Sequence, residues 1–202
     1  PRMVSPPRIP GACMKTLVRR RSGLVLTRKQ LHSAVKEVRS ELRALGFLDE
    51  ALSVIEVLMV PRAFPYAYQL YGGDGNIYVP RISGARKRDL KKKLRPAPIR
   101  QVLRHEFAHA FADTHRGLIR SARFTEAFGA AHSWKFAWKY DPEHHVSDYA
   151  SSAPAEDFAE TFMHYIGHQG VLPEKWNTPS IRRKWRFIRD LARAATRGIR
   201  RW

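Results

Sequence analysis

The run His105-Glu-Phe-Ala-His109 constrains the fold of this chain more than any other stretch. If the run is helical, the two imidazoles lie about 40° apart, one turn above the other, and both can bind one metal ion. Glu106 projects about 100° away from His105, where its carboxylate can take a proton from a metal-bound water without ligating the metal. The motif therefore predicts a zinc site on a helix, with Glu106 as general base.

The residues around the motif favour a helix. Pro98 suits a first helical turn, and Gly117 is typical of a C-terminal stop. Between them, apolar residues recur at helical spacing: Ile99, Val102, Leu103, Phe107, Ala110 and Phe111. We expect one helix that begins near Pro98 and ends before Gly117.

A catalytic zinc site needs a third protein ligand and a fourth position open to water or substrate. His115 would give the ligand spacing of metzincins, although that pattern has Gly where this chain has Ala112. Glu156 is the second candidate, in the first turn of a helix predicted from Pro154 onwards. One turn further on the same face, Glu160 could accept an N–H from a ligand imidazole and fix its tautomer. The residues leave the choice between His115 and Glu156 open.

In this region the chain resembles the gluzincin metallopeptidases, in which a second helix after the HExxH helix carries a Glu ligand. The run from His105 to Asp113 is similar to the active-site helix of thermolysin-type enzymes. Tyr149, Glu156 and Glu160, in steps of seven and four, resemble the corresponding segment of the anthrax lethal factor catalytic domain.

Residues 123–129 and 155–162 are also similar to a family of bacterial zinc-binding metallopeptidases. The resemblance covers residues 98 to 170 and implies a zincin-like metalloendopeptidase that binds one zinc ion. In this fold a small twisted sheet accompanies the HExxH helix and the Glu-bearing helix. The implied site is zinc on His105, His109 and Glu156, Glu106 as base, Tyr149 as donor to the oxyanion, and Asp113 and Glu160 as residues that orient the ligands.

Three further elements are predicted. Thr27 and Gln30 form a capping box that opens a helix to about Leu45. Ser53 to Val60 is predicted as a strand, and Tyr66–Tyr71 and Asn76–Val79 as a hairpin around residues 72–75. We expect an α+β domain over residues 27–178, with the Asn76–Val79 strand at the sheet edge beside the zinc cleft. The aromatic clusters of residues 124–128 and 134–140 are predicted to lie in the core or in the wall of the cleft.

Positive charge is concentrated in three segments of a chain whose net charge is +19. Residues 1–26 are predicted to be a flexible basic lead-in, and residues 179–202 a basic amphipathic helix packed on the domain. The third segment, residues 81–104, adjoins the motif. Such segments favour nucleic acid or another polyanion. The candidate anion-binding residues are Arg86, Lys87, Arg88, Lys91, Lys92, Lys93, Arg182, Arg186, Arg189 and Arg193.

Composition narrows the function classes. The single cysteine, Cys13, excludes an internal disulfide framework and is typical of a reducing compartment. No run is apolar enough for a membrane span or an N-terminal signal region. We therefore expect a soluble, cytoplasmic peptidase that acts on protein or peptide substrates. The alternatives are a secreted, toxin-like effector protease and a nucleic-acid-binding protein with a structural zinc site.

Overall fold

The computed structural model describes residues 25–61, 67–71, 74–82 and 98–202. These residues form an α+β protein with seven α-helices and one three-stranded mixed sheet. In chain order the elements are α1 (Arg28–Ala44), α2 (Glu50–Ser53), β1 (Glu56–Val60), β2 (Ala67–Tyr71), β3 (Asp74–Pro80), α3 (Ile99–Thr114), α4 (Arg116–Ile119), α5 (Ala122–Phe128), α6 (Pro154–Gly167) and α7 (Pro179–Thr196). Short 3-10 helices at Tyr149–Ser152 and Glu174–Trp176 precede α6 and α7.

The sheet has the order β1-β3-β2. β2 and β3 pair antiparallel, with Tyr68 opposite Ile77, which confirms the predicted hairpin. β1 pairs with β3 in parallel, with Val57 opposite Ile77. The prediction that Asn76–Val79 forms the sheet edge is wrong, because the apolar strand β1 takes the other side of β3 and leaves Ile77 and Val79 fully buried. Within the described residues, β1 and β2 are the two edge strands, and β2 is the one that packs against helix Ile99–Thr114.

Capping side chains determine where two helices begin at the N-terminal end of the domain. The Thr27 capping box is present, and α1 gives way to Gly46 at φ 80°, as predicted. The predicted strand from Ser53 begins only at Glu56. The carboxylate of Asp49 accepts the Leu52 N–H at 3.0 Å and starts the short helix α2, so this cap outweighs the strand preference of the residues that follow.

Helix α3 lies at the centre of the domain and packs against α1, α6 and the strands β2 and β3. Its buried face includes Phe107 and Phe111. Phe47, from the turn after α1, contacts Phe111 and Phe162 with ring centroids 5.5 and 4.7 Å apart. This aromatic packing holds α3 and α6 side by side, so residues on their adjoining faces meet.

Helix α7 begins as predicted, with the Thr178 hydroxyl accepting the Ile181 N–H at 3.2 Å. Its apolar stripe, including Trp185 and Ile188, is part of the core. Lys184 is only 3% exposed and its Nζ lies 2.5 Å from the buried Asp157 carboxylate, which ties α7 to α6. None of the helices in the described ranges combines the length and apolar character needed to cross a membrane.

Two predictions about the middle of the chain are corrected. Helix α3 ends at Thr114, before Gly117 as expected, but Gly117 is not its C-terminal stop, because it lies inside α4. A Cβ on Gly117 would lie 2.2 Å from the carbonyl oxygen of Arg200, so the glycine permits close packing of the C-terminal residues. Phe124 and Phe128 are buried as predicted, but three aromatic side chains of the second cluster are exposed: Trp134, Phe136 and Tyr140.

Candidate metal centre

The two histidines of the motif point into the same space from successive turns of α3. Their Nε2 atoms are 3.1 Å apart. Glu156, in the first turn of α6, places Oε2 3.2 Å from Nε2 of His105 and 3.4 Å from Nε2 of His109. Ligand atoms of the three side chains all lie within 4.8 Å of one another. The packing of α3 on α6 thus assembles a two-nitrogen, one-oxygen donor set.

This donor set could hold a metal ion. Within the described residues, Glu156 Oε2 is buried without a hydrogen-bond partner, despite its closeness to the two imidazoles. A buried carboxylate oxygen without a partner costs free energy that a bound cation would recover. Two imidazoles and one carboxylate are ligands that zinc uses in catalytic sites, where they leave a position for water or substrate.

The electrostatics of the cluster also favour a cation. Burial by itself would lower the pKa of His105, but contacts with Glu156 and Glu160 raise it to about 9. Burial would likewise raise the pKa of Glu156, yet the adjacent His105 and His109 hold it below its ordinary value. Carboxylates that stabilise a proton on His105 would also stabilise a divalent cation in the place of that proton.

Glu160 and Asp113 hold different parts of the site. Glu160 Oε1 lies 2.9 Å from Nδ1 of His105, and its Oε2 accepts the Ser147 hydroxyl at 2.7 Å. This contact leaves Nε2 of His105 free to face Glu156. Asp113 accepts the Tyr68 hydroxyl at 2.9 Å and pairs with Arg116, so its contacts in the described residues are to these two side chains and not to an imidazole.

Glu106 faces the sheet side of the cleft. Its side chain is 6% exposed, and its Oε2 accepts the backbone N–H of Tyr68 in β2 at 2.7 Å. Sequence reasoning missed Tyr68, because its role depends on where β2 lies against α3, 38 residues further along the chain. One carboxylate oxygen of Glu106 is therefore held by the sheet, which leaves the other for proton transfer.

Tyr149 stands at the entrance of the cluster, in the 3-10 helix before α6. Its ring is tilted by 38° against the ring of His105, with centroids 5.8 Å apart, and its side chain is 55% exposed. Partial burial and the nearby Glu156 carboxylate raise the pKa of Tyr149 to about 12. The phenol therefore keeps its proton at neutral pH and can donate a hydrogen bond.

His115, the alternative third ligand, lies elsewhere. It is buried, its ring stacks on Phe111 with centroids 4.0 Å apart, and its Nε2 lies 3.0 Å from Asp49 Oδ2. Because α3 continues through Ala112 to Thr114, the chain does not turn His115 towards His109. The structure groups Glu156, and not His115, with the two motif histidines.

A cleft of about 490 Å³ opens beside the cluster. Its wall adds residues that the sequence did not single out as part of the site, notably Arg116, Arg120 and His132. Burial, with smaller contributions from nearby positive charges, lowers the pKa of His132 to about 4, so its imidazole is neutral at pH 7. No spacing rule identifies these three residues, because only the packing of α4 and the following loop brings them to the cleft.

The predicted anion-binding residues divide into two groups. Arg86, Lys87, Arg88, Lys91, Lys92 and Lys93 lie outside the described residues. Arg182, Arg186, Arg189 and Arg193 are exposed on α7, at a spacing that places them on one face of the helix. They form a separate basic surface, which we call the α7 arginine stripe.

Comparisons of this chain with protein-family models, with curated proteins and with solved structures give no match. The class of the protein therefore rests on its own fold and site. It is an α+β protein in which two helices bring together a His-His-Glu cluster that could hold a metal ion, at the side of an open cleft.

Proposed function

We propose that the chain is a zinc-dependent metalloendopeptidase with a zincin-like fold of the gluzincin type. One observation carries the proposal: His105, His109 and Glu156 converge within 4.8 Å in a cleft that Glu106 and Tyr149 also line. A purely structural zinc site is normally closed by four protein ligands. Here three candidate ligands adjoin an open cleft that holds a carboxylate and a phenol.

The residues of the cleft have distinct roles in this proposal. Zinc bound by His105, His109 and Glu156 would polarise the scissile carbonyl and lower the pKa of the attacking water. Glu106 takes the proton from that water and passes it to the leaving amine. The Tyr68 N–H holds the Glu106 carboxylate in place during both transfers.

Tyr149 and Glu160 complete the arrangement. Tyr149, protonated at neutral pH, donates a hydrogen bond to the oxygen that becomes negative when the carbonyl is attacked. Glu160 keeps His105 oriented through Nδ1, which directs Nε2 towards the ligand position.

The direct test is the Glu106→Gln variant. It removes the proton acceptor but preserves side-chain shape and the hydrogen bond from Tyr68. We expect zinc content to be unchanged and the rate of peptide hydrolysis to fall on the order of 100-fold or more. The measurement is cleavage of a mixed protein substrate by the zinc-loaded chain, with zinc quantified in both proteins. Full activity in the variant would rule out this mechanism.

A second function has its own supporting observation, the exposed α7 arginine stripe. The stripe suits a polyanion such as nucleic acid, which would either recruit the peptidase or be the main ligand of a protein whose zinc is structural. Chelation separates these two cases. Loss of the fold on zinc removal, without hydrolysis before it, supports the structural role.

A further inference from the structure

The cleft contains a charged side chain that the candidate metal centre does not use. The acids that line it, within the part of the chain that the structure describes, are Glu106, Asp113 and Glu156. Asp113 is paired with Arg116, and the other two carboxylates belong to the proposed chemistry. Arg120 also lines the cleft, and its guanidinium has no ion-pair or hydrogen-bond partner among the residues that the structure describes. A positive charge at the cleft wall is therefore free to meet a ligand.

The backbone that carries Arg120 is well anchored. The residue ends α4, and its N–H donates to the carbonyl of Arg116 at 2.8 Å. Leu118 and Ile119, just before it, are fully buried, and Gly117 packs against the Arg200 carbonyl. The Cα position is thus fixed by the core, whereas the side chain itself is exposed. Such a group needs little backbone reorganisation to bind a ligand.

The surroundings of Arg120 add to its positive potential. A second cavity of about 280 Å³ adjoins the cleft, and its lining consists of Arg116, Gly117, Arg120, Arg201 and Trp202. No acid is among the residues of the described ranges that line this cavity. Arg116 and Arg120 line both spaces, so basic residues continue from the cleft into the second cavity. A concave surface lined by one sign of charge concentrates ligands of the opposite sign.

We propose that Arg120 binds a carboxylate of the substrate, and that the substrates are therefore acidic peptides. The proposal rests on the proposed peptidase function. A planar guanidinium pairs with a carboxylate through two parallel hydrogen bonds, which gives orientation as well as affinity. The carboxylate belongs either to an Asp or Glu side chain near the scissile bond or to the C-terminus of a peptide. Both sources offer the same chemistry to Arg120.

Cleavage profiles test the proposal and separate the two sources. A proteome-derived peptide library, one half of it amidated at the C-termini, is digested by three zinc-loaded proteins: wild type, Arg120→Gln and Arg43→Gln. Arg43 is an exposed arginine at the end of α1, so its variant loses the same charge away from the cleft. We expect Arg120→Gln to lose about tenfold or more in kcat/KM on peptides that offer the carboxylate, with little change on neutral, amidated ones.

Amidation identifies the carboxylate. If the preference for acidic peptides persists after amidation, Arg120 reads an internal Asp or Glu. If Arg120→Gln lowers kcat/KM on free peptides but not on amidated ones, whatever their side chains, Arg120 reads the C-terminus. Equal kcat/KM values of the wild type on acidic and neutral peptides together with no effect of amidation, or equal effects of the Arg120 and Arg43 substitutions, would overturn the inference and leave the peptidase proposal standing.

Binding gives a readout that does not depend on hydrolysis. Immobilised, zinc-loaded Glu106→Gln protein should retain peptides that offer the carboxylate read by Arg120, and adding Arg120→Gln should abolish that retention. Adding Arg120→Glu instead should favour basic peptides, a gain that misfolding cannot produce. Absence of hydrolysis with Arg120-dependent retention would refute the peptidase and keep the carboxylate site. Retention that does not change when residue 120 is substituted would refute the carboxylate site.

Discussion

At the scale of single residues, Glu156 decides what kind of metal centre this chain can form. The motif histidines alone are compatible with a ligand at either position 115 or position 156. The structure gives these two side chains different surroundings. Glu156 approaches both motif imidazoles, whereas His115 stacks on Phe111 and contacts Asp49. Removing each side chain in turn should therefore have opposite consequences for zinc and for stability.

We predict that Glu156→Ala loses bound zinc, because two imidazoles alone hold the ion weakly. His115→Ala should keep one zinc ion per chain but lower the free energy of unfolding by about 2 kcal/mol or more, because it leaves a cavity beside Phe111. Zinc content after dialysis and denaturant unfolding measure the two effects. Zinc loss in a folded His115→Ala protein, with zinc retained by Glu156→Ala, would support the metzincin spacing instead.

At the scale of helices, the site depends on how α1 and α6 hold α3. Arg104, next to His105 in the chain, makes two hydrogen bonds to the Glu41 carboxylate on α1, at 2.7 and 2.8 Å. These side chains are only 12% and 23% exposed. The guanidinium also lies against Gly167 at the end of α6, where an added Cβ would come within 2.9 Å of it. One side chain thus contacts all three helices around the cluster.

Two ion pairs between α1 and α3, one partly buried and one exposed, allow a matched stability test. We predict that Glu41→Gln lowers the free energy of unfolding by about 1–3 kcal/mol, because the Arg104 charge stays partly buried with a weaker partner. Glu37→Gln removes the exposed pair with Arg100, whose side chains are 47% and 51% exposed, and should cost less than about 1 kcal/mol. Urea unfolding of both variants gives the comparison. Equal costs would mean that the Arg104 pair contributes no more than a surface pair.

Elements with local signals were predictable from the sequence, and contacts between distant elements were not. The Thr27 capping box, the Thr178 cap and the period of α3 each depend on residues within one or two turns, so α1, α3 and α7 match their predictions. The order of the sheet depends on which strand β1 joins, a choice that no local pattern encodes. The contact between Glu106 and the Tyr68 N–H follows from that order.

The candidate site divides in the same way. His105, His109 and Glu106 follow from one helical motif, and Glu160 from a four-residue step on α6. The meeting of Glu156 with the histidines depends on the packing of α3 on α6 through Phe47, which the sequence pattern does not show. Arg120 reaches the cleft only through the short helix α4, where the sequence predicted the end of a helix.

At the scale of the whole molecule, the basic surfaces lie apart from the His-His-Glu cluster. The chain carries a net charge of +19, and α7 presents a row of exposed arginines with only Asp190 among them. Asp190 lies 3.6 Å from both Arg189 and Arg193, so it offsets part of their charge. A net charge of this size attracts any polyanion weakly. At a specific interface, the affinity for the polyanion depends on where the positive charges lie and not on the net charge alone.

We therefore predict that the α7 arginine stripe is the main DNA-binding surface of the described residues. A variant with Gln at Arg182, Arg186, Arg189 and Arg193 should bind duplex DNA less tightly. The slope of log Kd against log salt should also fall, by an amount that corresponds to the loss of up to about four phosphate contacts. The control variant replaces four exposed basic residues of α1 by Gln: Arg28, Lys29, Lys36 and Arg43.

Both variants lose the same net charge, so the comparison isolates the position of the charges. Fluorescence anisotropy with a labelled duplex at several salt concentrations measures the affinity and the slope. A larger loss of affinity in the α7 variant, with the salt slope of the α1 variant close to that of the wild type, places the interface on α7. Equal losses would assign DNA affinity to the overall charge. Because the substituted side chains are exposed, and α7 contacts α6 through other residues such as Lys184 and Trp185, zinc content should be unchanged in both variants.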